Sequence, residues 1–496
     1  MATRSHESQR LLPTATARGS PGSALPLQSV YDSAESRRVL LSTGSSSSLS
    51  GYGALGRRSK SGSYGSQGGG GGSGSRSANK LSNWQSSYHL ISYMTGSGML
   101  CLPLALVEIE WYGVLLLLAA AVVSAYTSKI LIEAMDVVRW SSGASVTYSD
   151  LGYECYGLVG KFVTGLLVHS CFLITCTGYL SLATSCIAGI TGLQTGSVLL
   201  LITLGVWLHV FVKSLKALAA FSALNVAFAF WIEAVIFGDA MYPLKQIALA
   251  ESAFEFETPD LSGSNIFVKL SYSFTLLASG FFCHSIVPTV YNAMEDHRQS
   301  VHVVALSQLG VMALLYLPIC VMTYAVYGDT LQAPVFFNMR NAIVRNMTIV
   351  LYCIHLLLSY TIALYPLQRA FERWLLKMPP CGGSSSSSTL LGVQSSGLNL
   401  PTADDQSARR IEAAVKLVSR TVLVLLTLFL SYFLMPSALD IFGYMLVPVT
   451  LLSMVLPATF YWKICREEAR SVDKVAVCGV LVLALVTMGC SLTVFI

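Results

Sequence analysis

Met94-Thr95-Gly96-Ser97-Gly98-Met99 sits in the middle of the first long apolar stretch of the chain, 84–108. Each glycine inside a helix costs about 1 kcal/mol relative to alanine, and here two lie within three positions. Water is absent from a bilayer core, so unpaired backbone N–H and C=O groups are tolerated there only where they line a protein-enclosed cavity. The run therefore reads as a helix interrupted to make a ligand site. The plainer alternative is a close helix-packing contact, which small residues also permit.

Outward from this stretch, the composition sets the class. Of 496 residues, 53% are hydrophobic and 11% charged, against about 25% charged in an ordinary soluble domain. Apolar stretches near bilayer-spanning length occur at 84–108, 113–138, 159–187, 196–212, 217–239, 269–290, 302–326, 344–367, 415–435, 441–462 and 474–495. An all-α integral membrane protein with eleven transmembrane helices is expected. Lys and Arg collect in cytosolic loops. With a cytosolic N-terminus, the same side receives Lys129, Arg139, Lys213, Lys216, Arg298, Arg369, Arg373, Lys377, Arg409, Arg410, Lys416, Arg420 and the Lys463 to Lys474 loop. Lys245, Lys269, Arg340 and Arg345 fall opposite, with the acidic stretch Glu251, Glu255, Glu257 and Asp260.

Residues 1–80 are rich in Ser, Gly and Arg and culminate in Gly68-Gly69-Gly70-Gly71-Gly72. They are expected to form a disordered cytosolic tail, because they hold too little apolar surface to offset ordering entropy. No strand precedes the glycines and no Lys-Ser/Thr follows them, which excludes a phosphate loop. Residues 1–30 lack the apolar core of a cleavable signal peptide. The transmembrane domain then runs over 81–495, with a Ser/Gly-rich cytosolic insert at 381–407. Glu7-Ser8-Gln9-Arg10-Leu11-Leu12 has the acidic-dileucine form that sorting adaptors read, and Tyr52-Gly53-Ala54-Leu55 the tyrosine form. Both favour an endosomal, lysosomal, vacuolar or vesicle membrane over the plasma membrane. Asn346-Met347-Thr348 is a formal glycosylation acceptor, too close to the eighth stretch for occupancy.

Twelve cysteines show no metal-type or secreted-framework spacing and read as small core residues. No metal or cofactor is expected. The net charge of +5 comes without basic-aromatic interleaving, so nucleic acid is not an expected partner.

If the first span is broken for a site, an inverted-repeat transporter should show a matching break five spans later. The sixth reads Leu277-Ala278-Ser279-Gly280-Phe281-Phe282-Cys283-His284-Ser285-Ile286-Val287-Pro288, with small residues at mid-depth and a proline two turns on. Together the two predict leucine-transporter-like five-helix repeats of opposite topology plus one extra helix.

The chain at this point resembles the amino acid/auxin permease family of the amino acid-polyamine-organocation superfamily. The resemblance covers about 80–495. It is carried by Asn83 leading into Thr95-Gly96-Ser97-Gly98-Met99-Leu100-Cys101-Leu102-Pro103, and by Phe282-Cys283-His284-Ser285-Ile286-Val287-Pro288 with Tyr291 and Met294. Tyr327-Gly328-Asp329 and the segment from Tyr360 to Pro366 are similar to further landmarks of the family. Tyr126-Thr127-Ser128-Lys129-Ile130-Leu131 is similar to its vesicular inhibitory amino acid transporter branch. The long tail, the insert and Ser97 depart from the pattern.

The resemblance implies an amino acid substrate, and a broken helix answers that ligand's chemistry. Freed N–H groups at Gly96 to Gly98 suit its carboxylate, and exposed C=O groups its ammonium. Hydroxyls of Thr95, Ser97 and Ser279 complete a polar shell beside Gly280. Phe281, Phe282 and Tyr179 are pocket candidates, and Ser359, Tyr360 and Thr361 face the site in the family fold. Ionisable groups at mid-depth are rare and usually functional. His284 is the leading proton-coupling candidate, with His169, His355 and Glu233 as alternatives and H+ or Na+ as the coupling ion. The expected function is secondary active transport of neutral amino acids. No phosphate loop or catalytic triad points to an enzyme, and no charged ring points to a channel. The rival is an amino acid sensor reporting through the cytosolic tail.

Overall fold

The computed structural model describes residues 80–96, 98–212, 214–241, 263–377, 403–434 and 445–495. The expected sorting signals at Glu7, Leu11, Leu12 and Tyr52 lie outside the described residues, as do Ser97, Lys213, Lys245, the acidic stretch at 251–260 and insert residues 381–402.

The regular elements among the described residues are helical, with one isolated β-bridge between Leu81 and Met294. The helices are α1 (Asn83–Met94), α2 (Leu104–Ile109), α3 (Tyr112–Ser142), α4 (Tyr148–Thr191), α5 (Thr195–Trp207), α6 (Leu215–Met241) and α7 (Ile266–Gly280). They continue with α8 (Val287–Ala293), α9 (Ser300–Val311), α10 (Leu317–Tyr327), α11 (Ala342–Lys377), α12 (Ala403–Leu434), α13 (Leu456–Ile464) and α14 (Ser471–Phe495). A π-helical turn, Met312–Tyr316, joins α9 to α10, and a second, Leu451–Val455, leads into α13.

Local chemistry sets the ends. A reciprocal cap between Ser82 and Gln85 opens α1, and one between Thr147 and Asp150 opens α4. Gly143 and Gly192 close α3 and α4 with positive φ, and Gly157, at φ 64°, kinks α4 near its start. The helix α12 begins at Ala403, within the far end of the expected insert.

Eight helical stretches among the described residues are long and apolar enough to cross a membrane. Three expected spans fall on shorter helices. The first and sixth are each divided by a break, and α5, of thirteen residues, is about 20 Å long against a hydrocarbon core of about 30 Å. Leu200, Leu204, Trp231, Phe429, Phe433 and Leu485 stand exposed on apolar helices, the arrangement of side chains solvated by lipid. The chain is a multi-pass membrane protein whose two broken helices lie at its centre.

Candidate functional site

The two breaks touch. A Cβ added to Gly98 would lie 3.5 Å from the Cα of Gly280, so the backbones of the first and sixth stretches meet with no side chain between them. Gly96 is held more tightly, since a Cβ there would fall 2.2 Å from the hydroxyl of the buried Tyr179. At Gly280 a Cβ would meet Leu102 at 2.9 Å and the ring of Tyr316 at 3.3 Å. Close approach favours glycine at Gly96 and Gly280, whereas a Cβ at Gly98 would make an ordinary contact.

Each break leaves helix-terminal carbonyls to satisfy. The hydroxyl of Tyr316 lies 2.9 Å from the Met94 carbonyl and 2.8 Å from that of Gly280. These are the last residues of α1 and α7, so one O–H serves the C-terminal ends of both broken helices. The sequence reading missed Tyr316. Its signal was Pro318 in mid-span: proline lacks the N–H that an α-helix needs, and the π-helical turn directly before it carries Tyr316 inward.

Past the second break, the Phe281 carbonyl accepts from Ser124 at 3.2 Å and from Gln308 at 3.3 Å. The Gln308 amide also reaches Ser124 and Ser128 at 2.9 and 3.1 Å, and the Cys283 sulfur at 3.4 Å. His284 is fully buried, with Nε2 2.9 Å from the Thr127 hydroxyl and 3.1 Å from that of Ser128. A hydroxyl both donates and accepts, so these partners suit Nε2 with or without its hydrogen, whereas the buried Nδ1 has no hydrogen-bond partner.

The expected polar shell is partly assembled. Thr95 donates its hydroxyl to Ile91 of its own helix at 2.9 Å, and Ser279 to Leu276 at 2.7 Å. With their hydrogens spent, both oxygens remain as acceptors, suited to an ammonium more than to a carboxylate. The Phe282 ring lies 6.2 Å from that of Tyr93, which packs at the same distance on Phe172. The Tyr93 hydroxyl bonds Ser285 at 2.9 Å, linking α1 to the second break. Of the α11 candidates, Ser359 donates to the Ser92 carbonyl at 3.0 Å, whereas Tyr360 turns to Thr427 of α12 at 2.8 Å, away from the breaks.

Both flanks of the breaks are covered. On one, the Val335 N–H bonds the Leu100 carbonyl at 3.1 Å, and Val335 and Phe336 are fully buried. On the other, before α1, Leu81 bonds Ala293 and Glu295 through its own N–H and C=O at 2.9 and 3.0 Å, and the Lys80 amine caps the Asn292 carbonyl. Burial, and then the neighbouring Arg139 charge, lower the pKa of Lys80. No group of side chains suited to a metal ion occurs among the described residues.

Fold and site define a polytopic helical membrane protein whose interrupted helices enclose a backbone-lined centre, the architecture of a solute carrier. A family model described as transmembrane amino acid transporter protein matches residues 79–496, and the chain belongs to that family. It is 23% identical over 280 residues to amino acid transporter AVT1D of Arabidopsis thaliana, covering 53% of this chain and 47% of that protein. It is 22% identical to amino acid transporter AVT1H of the same plant over 411 residues, 81% of this chain and 86% of the relative. The chain thus spans about half the length of the first relatives it matches. Among solved structures it is similar to a Na+-coupled sialic acid symporter in a substrate-bound, outward-open state. That likeness has TM-score 0.50 and 10% identity, over 84% of this chain and 90% of the symporter, and concerns the fold alone. The family and these relatives are transporters, not enzymes.

Proposed function

We propose that this protein is a secondary active transporter carrying neutral amino acids across a membrane by alternating access, coupled to protons. The observation that supports the reading is the meeting of the two breaks at Gly98 and Gly280, with the carbonyl ends of α1 and α7 converging on one hydroxyl. Helix C-termini carry about half a negative charge and N-termini about half a positive one. An α-amino acid carries an ammonium and a carboxylate on one carbon, and two broken helices offer both kinds of end within one small volume. Thr95 and Ser279 add acceptors on the ammonium side, Gly96 and Gly98 let the ligand approach the backbone, and Phe282 supplies an apolar wall. The described residues of the breaks contain no Lys, Arg, Asp or Glu, which supports a substrate with an uncharged side chain.

The same reading holds that the chain crosses the membrane eleven times, as two five-helix units of opposite topology plus one helix, with the N-terminus cytosolic. The Lys and Arg distribution supports that orientation, and the tail signals at Glu7, Leu11 and Leu12 support an endosomal, lysosomal, vacuolar or vesicle membrane. A histidine at mid-depth carries the coupling proton, with Na+ as the alternative ion. Uptake into proteoliposomes, screened across the amino acids with and without an imposed pH gradient, tests the reading. Flux of neutral amino acids that follows the gradient is the expected result. No flux for any amino acid overturns it and leaves the sensor.

A further inference from the structure

Among the buried histidines, His355 has surroundings that no neutral imidazole satisfies. It is fully buried on α11, with Nδ1 3.2 Å from the backbone carbonyl of Asn225 on α6 and Nε2 3.1 Å from that of Thr95. A carbonyl oxygen only accepts, and a neutral ring has one N–H and one lone pair. In the neutral form one of these contacts sets lone pair against lone pair. The doubly protonated ring makes both hydrogen bonds. Thr95 caps the C-terminal end of α1, where the helix dipole favours a cation. His284 faces hydroxyls, which place no such demand.

We infer that His355 binds the coupling proton, and that the protonated ring ties the broken end of the first helix to α6. The inference rests on the transporter reading above and assigns its coupling site. The titratable groups on the packed elements do not bond the ring. On α1 they are His89, occupied by Leu215 and Ser222, and Tyr93, occupied by Ser285. On α6 the group is Glu233, two turns past Asn225, and on α4 it is Tyr179. On α11 itself the Tyr352 ring stacks on the imidazole at 6.2 Å. Loss of the proton removes one of the two bonds and releases Thr95 from α6 or α6 from the ring. One turn earlier, Ser359 still holds the Ser92 carbonyl and Asn225 still reaches Ser359. The freed backbone therefore turns about Ser92, and the proton sets the angle of the break.

The test compares wild type, His355→Gln and His302→Gln in proteoliposomes with a one-unit pH gradient. One proton per substrate gives about tenfold accumulation across that gradient. His355→Gln is expected to abolish accumulation while keeping exchange of substrate against substrate, and His302→Gln, at an exposed position of α9, to keep both. Accumulation retained by His355→Gln overturns the inference. In that case the transporter reading stands; wild-type flux indifferent to the gradient overturns both the inference and the proton coupling of that reading, and absence of any flux removes the transporter reading itself. If His355→Gln does not fold, ring-15N histidine spectra of wild-type and His284→Gln protein decide. A solvent-shielded imidazolium present near pH 6 in both supports the inference, and shielded rings neutral throughout pH 5–8 overturn it.

Discussion

The two helix breaks do the same geometric job by different means. The first is made by missing side chains: Gly96 admits Tyr179 to a distance any Cβ would block, and Gly98 brings its backbone to that of Gly280. The second is dense with side chains, with Phe281, Phe282, Cys283 and His284 all buried, and it is held by bonds from Ser124 and Gln308 to a single carbonyl. One break is limited by shape and the other anchored by hydrogen bonds. Substitutions should therefore fail differently in each: steric changes should abolish transport at the first, and polar changes should lower stability at the second.

The largest effect is expected for Gly96→Ala, whose Cβ runs into a buried tyrosine hydroxyl. A displacement of about 1 Å at a site costs on the order of 100-fold in rate, so uptake per folded molecule should fall by about that factor. Tyr179→Phe in the same chain should restore part of it. Near-wild-type uptake by Gly96→Ala alone would erase the shape half of the comparison. Gly280→Ala comes next, at about tenfold in uptake, because the closest atoms it meets are the movable ends of Leu102. Adding Leu102→Ala should relieve it.

At the anchored break, Gln308→Leu should lower stability by about 1–3 kcal/mol, the range for a buried acceptor deprived of its donor. The measurement is thermal unfolding of purified protein in detergent, read beside uptake, which should change less than stability does. Tyr316→Phe should cost about 1 kcal/mol in the same assay and, as the hydroxyl shared by both breaks, should raise the substrate KM as well. Trp207→Phe removes an indole bond to Thr421 at the periphery. It should shift stability by less than about 0.5 kcal/mol and leave uptake unchanged.

Much of the frame was legible because it rests on local signals. Hydropathy marked the spans, and glycine placement marked both breaks, since two glycines in a row of small residues weaken a helix at membrane depth. What fills the breaks was not legible. Tyr316 is 222 residues from Met94, and His355 is 260 from Thr95. No periodicity records a contact at that separation. The hydroxyls of Thr95 and Ser279 illustrate a different limit: the sequence shows that they are present, and only the backbone geometry shows that their hydrogens are already given to the preceding turn. The fourth expected span, 196–212, is the shortest of the eleven, and α5 is shorter still because the turn at Leu208–Phe211 ends it.

The bridge at Leu81 has a mechanical meaning. Its two backbone bonds fasten the start of α1 to the end of α8, beside a leucine that is fully buried. The outer ends of two half-helices that belong to different broken spans are therefore a single lever. A turn of one at its inner end is expected to carry the other with it.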